Sequence, residues 1–154
     1  MKIIPLTRGK KTIIDDQDFD RISKYKWCIH CDSYAVTSIN GKIVMMHRFL
    51  LKTPEGFDTD HINGNKLDNR RSNLRIVTRS QNMANTRIRR SNKSGYKGVF
   101  YFKFGHRSKR WKAKIKVNYK MIDLGYFLTK EEAAKVYNLA AVKHFGEYAL
   151  LNVL

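Results

Sequence analysis

The chain is short of acid. Of its 154 residues, 31 are Lys or Arg and 13 are Asp or Glu, leaving a formal net charge of +18 and an isoelectric point near 10.1. From Asn69 to Ile122 there is no Asp or Glu at all, while Arg and Lys recur throughout. A basic tract of that length calls for a polyanionic partner, and nucleic acid is the commonest one. Long apolar runs are missing too. No stretch approaches the roughly 18 apolar residues that a membrane span needs, and the first residues lack the apolar segment of a secretory signal. An intracellular protein of the host cytoplasm, working on DNA with no membrane partner, is therefore expected. Cysteine is scarce: Cys28 and Cys31 flank His30 in one C-x-x-C, with no second pair. Structural zinc sites generally use four ligands, so the pair is read as reduced, partly buried thiols.

What is present argues for a folded protein. The apolar fraction of 42% and the 12% aromatic content exceed those of a disordered polyelectrolyte. The length suits one ordinary domain or two small ones. Residues 1 to about 50 read as a small β-rich unit with a short helix near Asp18 to Ser23. Tyr34 to Ile39 and Lys42 to Met46 flank Asn40-Gly41, a dipeptide that suits a type I′ hairpin. Pro54, Gly56 and Asn63-Gly64 mark turns around the isolated pair Asp60-His61. Leu74 to Val77 follows as a short strand, and Thr78 with Gln81 has the spacing of a capping box opening a helix that carries Asn82. The basic, polar stretch Thr86 to Lys93 reads as a linker, and a domain boundary is placed there.

Between Asp60 and Asn85 the chain gathers side chains suited to phosphodiester hydrolysis. That reaction needs an activated water in line with the scissile bond and positive charge near the departing 3′ oxygen. Asp60 and Asn82 offer hard oxygen ligands of the kind Mg²⁺ accepts, and His61 is a candidate base. Asn69 and Asn85 read more readily as turn and helix-end residues, and His47, which with Arg48 could touch phosphate, more readily as a surface or packed side chain. The string DHINGNKLDNRRSNLRIVTRSQN resembles the ββα-metal motif of phage HNH homing endonucleases over about residues 45–90. The resemblance implies that His61 is the general base, that Asp60 and Asn82 bind one divalent ion (Mg²⁺, with Mn²⁺ as the alternative), and that Asn73 braces the loop orienting His61. Asn82 stands where many HNH enzymes have His, as in the Asn-containing homing branch. A neutral amide binds metal weakly, so affinity is expected to draw on the DNA phosphate.

Past the linker, Arg110, Lys112, Lys114 and Lys116 alternate with Trp111, Ala113, Ile115 and Val117. Strand geometry sends these two sets to opposite faces, one basic and one apolar. Val99 to Phe104 and Tyr119 to Phe127 supply two further strands. Thr129 with Glu132 caps a helix whose stripe Ala133, Tyr137, Ala140 and Ala141 covers the sheet, and Gly146 suits its end. Tyr96 to Asn152 resembles the AP2/ERF DNA-binding domain. That resemblance implies a three-stranded sheet in the major groove, one of the β-sheet modes of DNA reading, with contacts at Lys97, Gly98, Phe100, Phe102, Lys114 and Lys116 and with Lys112 beside them. Phe100 and Phe102 replace the family's Arg positions, and Asp123 replaces a DNA-facing Trp, so its GC-rich specificity does not carry over. Trp111 is read as core.

The expectation is an α+β protein in two modules. Residues 1–90 form an HNH nuclease domain whose β-rich N-terminal unit leads into the ββα-metal core; residues 91–154 form a three-stranded antiparallel sheet packed on one helix. The substrate is duplex DNA, cut to 3′-hydroxyl and 5′-phosphate ends, with no small-molecule cofactor. A non-catalytic DNA-binding regulator is the rival, and it has no use for Asp60, His61, Asn73 and Asn82 together. A generic RNA-binding protein is permitted by the charge alone.

Overall fold

The computed structural model describes residues 1–103 and 110–154. Phe104, expected to end the first strand of the C-terminal sheet, lies outside the described residues. Two compact units divide between Arg79 and Ser80, upstream of the basic stretch where the sequence placed a boundary. No helix among the described residues is long and apolar enough to cross a membrane.

The first unit begins with the antiparallel pair β1 (Lys2–Pro5) and β2 (Lys11–Ile14). A 3₁₀ turn at Asp16–Asp18 leads into the single turn α1 (Phe19–Ile22). Strands β3 (Cys28–Ile29), β4 (Ala35–Ile39) and β5 (Lys42–Met45) form a second sheet in the order β3-β4-β5. Asn40 and Gly41 both take positive φ, 50° and 74°, as a type I′ turn requires. Met46 does not extend β5; it opens a six-residue helix, α2 (Met46–Leu51). The β-prone run Lys42–Met46 otherwise forms a strand as expected; Met46 turns into the helix, where it is buried with Leu50, four apart on one face, together with His47.

β6 (Asp58–His61) then pairs antiparallel with β7 (Leu74–Val77), placing Asp60 opposite Arg75 and His61 opposite Leu74. The unit's core joins Ile4, Ile14 and Ile22 to Trp27, Met46 and Leu50. The edge-to-face rings of Tyr25, Trp27 and Phe49 pack beside it. Helix α3 (Arg79–Ala84) runs across the division between the units.

In the second unit β8 (Val99–Tyr101), β9 (Trp111–Val117) and β10 (Lys120–Phe127) form an antiparallel sheet with β9 central. The expected register appears on the apolar side: Ala113 and Ile115 are buried, and Trp111 and Val117 are partly buried. Helix α4 (Lys130–Phe145) packs on this face through Ala133, Ala134, Tyr137 and Ala141. Both halves of the Thr129–Glu132 capping box are formed, and Gly146 ends the helix with φ 53°.

Candidate active site

The 12 residues between β6 and β7 are tied down by their own polar side chains. The Asn73 carbonyl oxygen accepts from the Asn63 backbone N–H at 3.0 Å, and its amide nitrogen donates to the Asp68 carbonyl at 2.8 Å. The Asn73 backbone carbonyl also accepts from Ile62 N–H at 2.9 Å. One buried amide therefore joins both ends of the loop, the geometry expected of a brace. Asp68 accepts from the Arg70 guanidinium through both oxygens and from the Asn63 amide. The bond from Arg70 holds the Asp68 carboxyl below its usual range. Arg71 forks onto buried Asp18, both nitrogens at 2.8 Å, and its backbone N–H reaches Asp15 at 2.7 Å. β2 closes the arrangement: Ile13 N–H donates to Leu67 O at 3.0 Å, and Asn69 N–H donates to Ile13 O at 2.9 Å.

Adjacent on β6, Asp60 and His61 are both buried and have different neighbours. Arg75, directly across the ladder, donates from Nε and a terminal nitrogen to Asp60 Oδ2 at 3.0 and 2.9 Å, which fixes the orientation of the carboxylate. His61 lies against the rings of His47 and Tyr34, with centroids 5.0 and 6.0 Å away. Its Nε2 meets Asn69 Oδ1 at 3.2 Å. Burial lowers the His61 pKa more than Asn69 and the nearby carboxylates raise it, so the neutral ring is favoured. Burial pushes His47 further, to about 3, and its Nδ1 is buried without a hydrogen-bond partner among the described residues. His47 is thus a packed neutral ring against the candidate base.

Asn82 belongs to α3 and to the second unit, whereas Asp60 and His61 belong to the first. The Asp60 carboxylate supplies hard oxygens in a fixed orientation, donors of the kind a divalent ion accepts. Elsewhere, His30, Cys31 and Asp32 place three potential donor atoms within 4.8 Å on a surface turn. Cys31 is exposed and Cys28 half-buried, both as free thiols.

Residues 45–84 match the family described as HNH endonuclease. Over 155 aligned positions the chain is 35% identical to an uncharacterized HNH endonuclease of Acanthamoeba polyphaga mimivirus, covering 96% of this chain and 78% of that protein. The chain belongs to the HNH endonuclease family. It is a DNA nuclease, and members of this family generally use a divalent metal. No solved structure matches it. The matched segment includes Asp60, His61, Asn73 and Asn82.

In the second unit the residues expected to contact DNA fall into two sets. Phe100 and Phe102 are exposed, as are Arg110 and Lys116, while Lys114 is half-exposed. The Lys114 ammonium lies 5.9 Å from the Phe102 ring centre, and the Lys116 ammonium 5.7 Å from that of Tyr119. Lys112, by contrast, is only 8% exposed. It pairs with Asp123, bonds Tyr126 Oη at 3.0 Å, and lies over the Tyr126 ring at 4.4 Å. Asp123 therefore neutralises one of the three alternating lysines. Lys97 donates to the Ala84 carbonyl, and burial lowers its pKa to about 8. At Gly98, with φ 73°, an added Cβ would lie 2.1 Å from the Tyr137 ring and 2.7 Å from the Lys114 carbonyl. Only glycine permits that approach.

The sequence reading missed Arg75, Thr12 and the Arg71–Asp18 pair, and it ranked Asn69 as a turn residue. The distinguishing signal for Asn69 was weak: it sits in Asp68-Asn69-Arg70-Arg71, where a charged, polar string follows a turn.

Proposed function

We propose that this nuclease is a homing-type endonuclease hydrolysing phosphodiester bonds in duplex DNA, with His61 as general base and Asp60 and Asn82 as the ligands of one Mg²⁺ ion, a role Mn²⁺ can also fill. The observation carrying most weight is that His61 is a buried histidine whose neutral ring is favoured, beside a fixed carboxylate at the end of β6 where the loop braced by Asn73 begins. A neutral imidazole can take a proton from the attacking water, whereas an imidazolium cannot. The divalent ion supplies positive charge for the crowded phosphorane and the departing 3′ oxygen. Arg75 orients Asp60, and Asn73 keeps the loop from displacing His61. The products are 3′-hydroxyl and 5′-phosphate ends.

Residues 91–154 serve in this reading as an AP2-like DNA-binding module, with residues 1–90 as the nuclease domain. Arg110, Lys114, Lys116, Phe100 and Phe102 provide phosphate and apolar contacts, while Lys97, Gly98 and Lys112 support the sheet and its neighbours. The test is digestion of supercoiled plasmid across a Mg²⁺ titration. The wild type should cut only with the ion present, and Asp60→Ala and Asn82→Ala should each require more of it, while Asn85→Ala should not. Cutting that persists in chelator, or an unaltered Mg²⁺ requirement in both ligand variants, overturns the metal assignment.

A further inference from the structure

The orientation of His61 and of the two side chains behind it follows from a count of hydrogens. Leu67 O is a carbonyl and can only accept, so the bond of 2.7 Å from Thr12 Oγ1 uses the single hydroxyl hydrogen of Thr12. Toward its other neighbour Thr12 can then only accept. Asn69 must present its NH₂ there, as it does at 2.8 Å, and so turns Oδ1 toward His61. An amide oxygen cannot donate, and therefore the ring nitrogen it meets at 3.2 Å, Nε2, must carry the proton. Thr12 is fully buried and Asn69 is 1% exposed, so water offers no easy alternative partner and an unmade bond is costly.

We propose that Thr12 and Asn69 form a relay that fixes the tautomer of His61, putting the proton on Nε2 and making Nδ1 the basic nitrogen of the reaction. The relay rests on the reading of His61 as general base. Both are positioning residues that act through the imidazole. The arrangement crosses the chain, because Thr12 lies on β2 while the Leu67–Asn69 segment is clamped to that strand through Ile13. β2 thus presents the hydroxyl and holds the amide within reach of it.

The test uses the full-length protein and reads the tautomer directly from the ¹⁵N signals of the His61 ring, without DNA or metal. The wild type should show Nε2–H as the dominant form; a proton resident on Nδ1 overturns the relay. Thr12→Val keeps the shape and removes the hydroxyl, freeing Asn69 to turn. It should give mixed tautomers and lower kcat about 10- to 100-fold, the usual size of an orienting partner's effect, with KM for DNA unchanged. Thr12→Ser should restore both. Asn69→Asp, which still accepts from Nε2–H, should hold the tautomer where Asn69→Leu does not, so the idea remains testable should Thr12→Val fold poorly. An unchanged tautomer in both Thr12→Val and Asn69→Leu rejects the relay. A shifted tautomer with undiminished cleavage leaves the relay standing and rejects His61 as the base.

Discussion

The first unit buries Asp18, Asp60, His61, Asp68, Asn69 and Asn73, whereas the buried polar side chains described in the second are Ser94, Lys112 and Asn152. The difference goes with charge, since the second unit's only acids are Asp123, Glu131, Glu132 and Glu147. Burying a polar group is unfavourable unless its hydrogen bonds are made, and when they are made the group is held in one orientation. The β6–β7 loop has that character: its side chains spend their bonding capacity on each other and on β2. The second unit instead packs apolar residues between sheet and helix and leaves its cations largely at the surface, where they remain able to meet phosphate. One unit is organised for placing atoms and the other for presenting charge.

The largest effect that separates the two is on stability. Arg71→Ala leaves the Asp18 carboxylate buried with Arg21, 3.5 Å away, as its remaining cationic partner among the described residues. The expected loss is about 2 kcal/mol, below the roughly 3–5 of a fully buried pair because Arg71 is partly solvated. In single-tryptophan backgrounds, the urea transition reported by Trp27 should move down while that reported by Trp111 stays. An equal shift of both would dissolve the distinction between the units.

A smaller effect sharpens it from the other side. Lys114→Ala and Lys116→Ala should each reduce the slope of log affinity against log salt by about one, the signature of a lost phosphate contact. Lys112→Ala should leave the slope alone and lower the stability of the second unit, because its ammonium is already paired with Asp123. If Lys112→Ala changes the slope as the others do, the lysine is released from Asp123 when DNA binds.

How much of this could be read from the sequence depended on distance along the chain. The Asn40-Gly41 turn, the strand Leu74–Val77, the alternation of β9 and the Thr129–Glu132 cap are local patterns, and the structure forms them as expected. Asp60 and His61 were visible for the same reason, as a polar pair isolated among turn residues. The tertiary partners were not. Thr12 and Asn69 are 57 positions apart, Arg71 and Asp18 53, and nothing in either local pattern points to the other. α2 escaped because a six-residue helix is too short for its period to stand out from a strand's. Lys112 escaped because its neutralising partner lies on the next strand, reached only through the register of β9 with β10.

The most direct test of the central claim is single-turnover cleavage of duplex DNA by His61→Ala at saturating protein and Mg²⁺, with DNA affinity measured on the same preparation. The expected rate is lower by about 10²- to 10⁴-fold, the usual contribution of a general base, with affinity close to that of the wild type because the phosphate contacts proposed above lie on the C-terminal sheet. A variant that binds normally and cuts at the wild-type rate would contradict it.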